Sequence, residues 1–141
     1  MAGPRAFISF DFDGDKDSKE LFAGQAKNSK TPFDIQDWSS KYSLLQSQWE
    51  EEIKGKISKC HMLIVLVGTK MHSATGVVKE IGFAKDQDVP IFGVYVGSAS
   101  TSTTLPDGLA RSRVVAWEWD KIATKVDEMM KERKNDERRK E

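Results

Sequence analysis

The sequence predicts an α/β fold in which helices cover both faces of one parallel sheet. Apolar runs typical of strands alternate along the chain with segments of helical periodicity, which is the pattern of strands joined by helical crossovers. The strongest run, from Met62 to Val67, contains no polar residue, as expected for a central strand that is buried on both faces. Because crossovers are right-handed and loops are short, we expect a flavodoxin-like three-layer sandwich with a central five-stranded parallel sheet in the order 2-1-3-4-5.

Five strands and four helices are predicted along the chain. They are a strand at 5–12, a helix at 18–27, a strand at 33–38, a helix at 44–59, a strand at 61–68, a helix at 76–85, strands at 89–96 and 113–117, and a helix at 120–131. Alternation of apolar and polar residues indicates the short second strand, and near-continuous apolar sequence indicates that the third and fourth strands are buried. Apolar residues at four-residue spacing, such as Leu45, Trp49, Ile53 and Ile57, indicate the helices.

Composition excludes several classes of protein. The 141 residues carry 22 basic and 22 acidic side chains, and this balance argues against nucleic-acid binding, which needs a surplus of Lys and Arg. We expect one domain at 1–130 and a charged tail at 131–141. No apolar run is long enough to cross a membrane. The single cysteine, Cys60, excludes an internal disulfide, the two histidines are too scattered for a zinc site, and a cytoplasmic location is expected.

Ligands of such sheets bind outside the carboxyl ends of the strands, near the switch between the first and third strands. The segments expected there are 10–17, 37–38, 68–75 and the loop after Val96. Between Asp11 and Glu20 the first loop carries five carboxylates against two lysines, and it lacks the glycine signatures of dinucleotide and P-loop sites. The third strand does not end in an aspartate, so a phosphoacceptor receiver domain is also disfavoured.

Glu80 is the carboxylate of most interest at this edge. Helical spacing puts it beside Val77 and Ile81, at the border between the core and the ligand-bearing edge. Spacing alone nevertheless favours an ordinary surface glutamate that pairs with Lys79 or Lys85.

The order of motifs resembles that of Toll/interleukin-1 receptor (TIR) domains. Ala6-Phe7-Ile8-Ser9-Phe10 followed by a polar loop is similar to their first strand, and the segments 33–38, 61–68, 77–84 and 89–96 continue the pattern in order. An apolar strand, then Gly-Thr, then a helix containing Glu-Ile, then an isoleucine-rich strand resemble the TIR-like branch of the bacterial Thoeris anti-phage system. The resemblance extends over roughly residues 5–130.

The resemblance implies an activity as well as a fold. Active TIR domains cleave the nicotinamide–ribose bond of NAD+, and Thoeris members make a cyclic ADP-ribose isomer that activates a separate effector protein. The family's catalytic residue is a glutamate in the helix after the third strand, which Glu80 matches. NAD+ would be the substrate, and no cofactor or metal is needed. TIR sites often lie between neighbouring copies, so the resemblance also implies a homo-oligomer or filament.

Six further residues are expected to bind the substrate: Phe10, Asp11, Trp38, Thr69, His72 and Ser73. Phe10 would line the nicotinamide pocket and Asp11 would hydrogen-bond ribose or amide groups, whereas Ser9 is expected to be internal. Trp38 would stack on an aromatic ring, or it is a partly buried edge residue. The remaining three would contact ribose or phosphate from the loop before Glu80.

The sequence departs from the family at Gly76, where related sequences often carry an aromatic residue a turn before the glutamate. The wall of the pocket then comes from elsewhere, or activity is weak or requires assembly. Two alternatives stay open. One is a non-enzymatic TIR-like module that acts through protein–protein contacts. The other is an enzyme of the nucleoside deoxyribosyltransferase kind, which shares the architecture and uses a glutamate to break an N-glycosidic bond.

Overall fold

A computed structural model describes residues 4–11, 14, 16–28, 33–38, 46–71 and 74–132. These residues form a parallel sheet of five strands in the order β2-β1-β3-β4-β5. The strands are β1 (Arg5–Ser9), β2 (Asp34–Trp38), β3 (Met62–Val67), β4 (Ile91–Tyr95) and β5 (Val114–Val115). The helices are α1 (Lys16–Asn28), α2 (Gln46–Ser58), α3 (Thr75–Asp86) and α4 (Trp119–Met130). The predicted fold class and strand order are confirmed.

The β3 strand lies at the centre of the sheet, paired with β1 on one side and β4 on the other. All six of its residues are buried. Its odd-numbered residues pack with α2 and α3, and its even-numbered residues pack with α1 and α4. A strand covered on both faces can expose no polar side chain to water, which explains its uninterrupted apolar sequence.

The first and last strands are both shorter than predicted. The first strand was expected at 5–12 but ends at Ser9. The last strand was expected at 113–117 and is reduced to Val114–Val115. A 3₁₀ turn at Arg111–Arg113 precedes this strand, and α4 begins soon after it. Only two residues are therefore extended far enough to pair with β4.

The start of the predicted charged tail packs against the fold. Glu132 accepts hydrogen bonds from Arg113 Nη1 at 2.9 Å and Nη2 at 2.7 Å. This paired contact joins Glu132, two residues beyond the end of α4, to the 3₁₀ turn before β5. The rest of the predicted tail, residues 133–141, lies outside the described residues. Within the described ranges, none of the helices combines the length and the apolar character that a membrane span requires.

Two glycines are expected to respond oppositely to alanine. Gly108 has a φ of +94°, and a Cβ there would lie 2.8 Å from Ile81 Cγ2. Gly108→Ala should therefore lower the free energy of unfolding by about 1–3 kcal/mol. Gly55 lies inside α2, and a Cβ added there would have no atom within 4 Å. Gly55→Ala should therefore raise the free energy of unfolding by about 0.5–1 kcal/mol. Urea denaturation measures the free energy of unfolding of both variants. A change of the same sign and size in the two variants would contradict the assigned backbone conformations.

Candidate functional site

A buried hydrogen bond joins β1 to α3 near the carboxyl edge of the sheet. Ser9 is the last residue of β1, and its Oγ donates to Glu80 Oε1 at 2.6 Å. Both side chains are completely buried, with 0% of their surface exposed. The short distance is typical of a hydroxyl that donates to a carboxylate. The pair lies beside the boundary between β1 and β3, where the strand order reverses.

The alternation of β1 explains why a serine meets the glutamate. Phe7 packs in the core cluster with α2 and α3, whereas Ile8 and Phe10 pack in the cluster with α1 and α4. Side chains alternate between the faces of a strand, so Ser9 lies on the same face as Phe7. Its small side chain leaves room for a carboxylate from α3, and its hydroxyl supplies a donor.

Helical periodicity places Glu80 within the apolar stripe of α3. The buried residues of this helix are Val77, Glu80, Ile81, Phe83 and Ala84. Glu80 lies three residues after Val77, so both project from one side of the helix toward the sheet. Glu80 is thus more deeply buried than the predicted position at the border of the core.

The surface-glutamate alternative is wrong. Glu80 has no exposed surface and is hydrogen-bonded to Ser9. The neighbouring Lys79 instead pairs with Glu50 of α2. Removing a carboxylate from water costs free energy unless hydrogen bonds or charges compensate it. A buried carboxylate near the ligand-bearing edge is therefore a candidate for chemistry.

An aromatic side chain from α2 occupies the space in front of Gly76. A Cβ at Gly76 would lie 3.7 Å from Trp49 Cζ2. The indole of Trp49 also lies against the ring of Phe83, with 6.4 Å between centroids and an interplanar angle of 51°. The aromatic side chain one turn before Glu80 therefore belongs to α2, where Trp49 is part of the buried core.

The Glu50–Lys79 pair is expected to make stability depend on pH. A hydrogen bond from Lys79 lowers the pKa of Glu50 below its usual 4.5. A carboxyl with a lower pKa in the folded state stabilises that state above its unfolded pKa, and this contribution is lost as the pH falls through the folded pKa. At pH 7 the melting temperature of wild type should therefore exceed that of Glu50→Gln, and the difference should shrink below about pH 4.5. Glu51→Gln, at the adjacent exposed position, controls for loss of one charge. A melting difference that grows on acidification would contradict this pairing.

The other predicted binding residues lie at different places relative to Glu80. Asp11 is partly exposed after β1, and Thr69 is exposed after β3. Both follow strands that adjoin the switch point, on the same edge of the sheet. Trp38 is the last residue of β2 and pairs with Ile8. His72 and Ser73 lie outside the described residues.

The Phe10 side chain packs on the face of the sheet opposite α3. It is 2% exposed and belongs to the core cluster with α1 and α4. The ammonium nitrogen of Lys19 lies 5.8 Å from the centre of its ring. In this arrangement Phe10 is separated from Glu80 by the sheet, so lining a shared pocket would require a change at the end of β1.

Sequence reasoning missed the partnership of Ser9 and the position of Trp49. Ser9 was expected to be internal, which its burial agrees with, but not to contact Glu80. The two-residue alternation of β1 was the available signal, since it puts Ser9 on the face that an α3 carboxylate approaches. No pattern in the sequence shows that α2 packs its tryptophan against Gly76.

This architecture defines an α/β protein with a parallel sheet in the order 2-1-3-4-5, in which a carboxylate from the helix after β3 is buried beside the end of β1. Residues 7–101 match the model of a family described as the Thoeris protein ThsB, TIR-like domain. The chain belongs to this family.

A solved structure shares the fold. It is titled "Crystal Structure of a prokaryotic SEFIR domain", and the similarity covers 93% of this chain and 94% of that chain, with a TM-score of 0.51 and 15% identity. At this identity the similarity concerns the fold alone. No curated protein matches the chain.

Proposed function

We propose that this protein is a TIR-like enzyme of bacterial anti-phage defence that cleaves the nicotinamide–ribose bond of NAD+. The products are nicotinamide and a cyclic ADP-ribose isomer, and the isomer is a messenger that activates a separate effector protein. Glu80 is the catalytic residue. The observation that carries the proposal is the buried Ser9–Glu80 pair at the switch point of the sheet, in a chain that matches the Thoeris TIR-like family.

Cleavage of the nicotinamide–ribose bond needs a negatively charged group beside the ribose. When nicotinamide leaves with the electrons of the N-glycosidic bond, the ribose carbon becomes electron-poor and resembles an oxocarbenium ion. A fixed carboxylate stabilises this positive charge and orients the ribose hydroxyls. The carbon is then captured by water, which gives ADP-ribose, or by a nucleophile of the same molecule, which gives a cyclic isomer. The Ser9 hydroxyl holds one carboxylate oxygen in place during these steps.

The complete burial of Glu80 makes an opening step part of the proposal. A group with 0% exposure cannot touch a substrate until the side chains that cover it move. Such an enzyme is inactive until a partner, a ligand or a second copy favours the open arrangement. The expectation of a homo-oligomer or filament fits this requirement, because assembly is one event that can favour it.

The direct test is to incubate the protein with NAD+ over a range of protein concentrations, with and without lysate of phage-infected cells. Chromatography follows nicotinamide release and any new nucleotide. Nicotinamide together with a product of the mass of ADP-ribose less one water is the expected result. If ADP-ribose were the only product besides nicotinamide, the proposed cleavage of NAD+ would stand and the proposed cyclic messenger would be refuted. Absence of turnover in every condition would refute the enzyme proposal.

Removing the Ser9 hydroxyl should slow the reaction without stopping it. A hydrogen bond to a charged group contributes about 1.5–3 kcal/mol, so Ser9→Ala should lower kcat at least about tenfold. KM should change little, because Ser9 acts through Glu80. Ser9→Thr keeps the hydroxyl and should restore much of the rate, provided that its melting temperature matches wild type. An unchanged kcat in Ser9→Ala would show that the hydrogen bond has no role in catalysis.

The burial of Glu80 also favours a second candidate, a non-enzymatic TIR-like module. In that function the Ser9–Glu80 hydrogen bond joins β1 to α3 only to hold the fold, and the protein acts by contact with other chains. Defence that is retained by a Glu80→Gln variant of unchanged stability, with no NAD+ turnover by either protein, would support this candidate.

A further inference from the structure

A crevice opens outside the carboxyl ends of β4 and β5. Its volume is about 680 Å³, within the range of roughly 300–1,000 Å³ that is usual for small-molecule sites. Its walls combine aromatic, hydroxyl and cationic groups. The polar and aromatic lining residues are Tyr95, Ser100, Thr101, Trp117 and Lys121. Neither Ser9 nor Glu80 lines this crevice, which lies two to three strands along the sheet from β1, or about 10–14 Å.

Hydrogen bonds hold one wall of the crevice in place. Arg111 donates from Nη1 to the Tyr95 hydroxyl at 3.3 Å and from Nη2 to the carbonyl oxygen of Thr103 at 2.6 Å. The Ser100 amide donates to Thr103 Oγ1 at 2.8 Å, and the Thr103 amide donates to the Ser100 carbonyl oxygen at 2.9 Å. The loop after β4 is thus tied to the last residue of β4, so the crevice is largely formed before a ligand enters.

Trp117, which also lines the crevice, carries an unsatisfied donor. Trp117 Nε1 is buried and has no hydrogen-bond partner among the described residues. Buried donors are nearly always paired, and leaving one without an acceptor destabilises the fold. A ligand that offers a ring nitrogen or a carbonyl oxygen would supply the acceptor. Because Nε1 is covered in this structure, the indole has to shift when such a ligand binds.

The rim of the crevice carries a positive charge that a ligand can reach. Lys121 lies in the first turn of α4, and its ammonium is 2.8 Å from Glu118 Oε2. Both side chains are 54% exposed, so this pair is weak and an anionic group can replace the carboxylate. The crevice therefore offers aromatic walls, a donor that needs an acceptor, and a cation at one end.

We propose that this crevice binds a purine nucleotide, with the base beside Trp117 and the phosphate at Lys121. A purine is flat enough to lie along aromatic side chains and carries ring nitrogens that accept from Nε1. The ligand is separate from the NAD+ molecule proposed for Glu80. The inference therefore does not depend on NAD+ cleavage.

The test is titration with AMP, observed through the indole N–H signals of the four tryptophans in nitrogen–proton correlation spectra. Trp117→Phe assigns the relevant signal by its loss. AMP should move the Trp117 signal saturably at concentrations up to about 1 mM. Ribose 5-phosphate and inorganic phosphate, which lack the base, should not.

Two matched variants locate the site. Ala116 is exposed and lines the crevice, so Ala116→Trp should fill it and weaken AMP binding at least about tenfold. Thr104, which is also exposed but does not line the crevice, provides the control Thr104→Trp with unchanged affinity. AMP binding that Ala116→Trp leaves intact would place the nucleotide elsewhere and overturn the proposal. The absence of any saturable shift of the Trp117 signal would overturn it too, whether or not NAD+ is cleaved.

Discussion

Glu80→Gln is expected to reduce NAD+ cleavage by about 10³-fold or more, because it removes the negative charge that stabilises the cationic ribose. The substitution keeps the size of the side chain. It also keeps an oxygen that accepts the hydrogen bond now made by Ser9 Oγ at 2.6 Å. The measurement is the initial rate of nicotinamide release under conditions in which wild type is active.

The stability of the same variant separates a catalytic role from a structural one. A neutral amide is cheaper to bury than a carboxylate, so the melting temperature of Glu80→Gln should equal or exceed that of wild type. Loss of activity at undiminished stability is the signature of a residue kept for function. Glu51→Gln on the exposed face of α2 controls for charge and should cleave NAD+ normally. Wild-type turnover by Glu80→Gln would end the assignment of Glu80 as the catalytic residue.

Phe92→Ala is expected to lower the free energy of unfolding by about 3–5 kcal/mol. Phe92 lies on β4, pairs with Ile64 of β3 and is completely buried in the cluster that α1 and α4 cover. Truncation removes most of a large apolar side chain and leaves a cavity that the paired strands cannot collapse to fill. Urea denaturation followed by circular dichroism gives the value.

The matched control for Phe92→Ala is Leu21→Ala on α1. Leu21 is a large apolar residue with 61% of its surface exposed. Its truncation should change stability by no more than about 0.5 kcal/mol. If Phe92→Ala cost less than about 1 kcal/mol, β4 would not be part of the rigid core.

Much of the fold was predictable because its strands are strongly patterned. The third strand was predicted to be buried on both faces, and the structure divides its alternate residues between two clusters. The spacing of Trp49, Ile53 and Ile57 predicted a helix, and all three are buried in one cluster. The fifth strand was predicted too long, because its sequence does not show that a 3₁₀ turn and α4 leave only two residues to pair.

The site was predictable in part. The resemblance pointed to Glu80, and the structure buries this residue beside the switch point. Spacing alone favoured a surface position, because a charged residue at the margin of an apolar stripe is usually solvated. The serine that makes burial tolerable is 71 positions away in the sequence, and no local pattern can reveal such a pairing.

The sequence by itself determined the layered α/β architecture and the strand order. These follow from the period of apolar residues along each element and from the general right-handedness of crossovers. Glu80 was singled out by the resemblance to TIR domains and not by its spacing. Tertiary structure decided that Ser9 donates to Glu80, that Trp49 packs beside Gly76, and that Phe10 lies on the other face of the sheet. These are contacts between elements far apart in the chain, and only the packing of α2 and α3 on the sheet sets them.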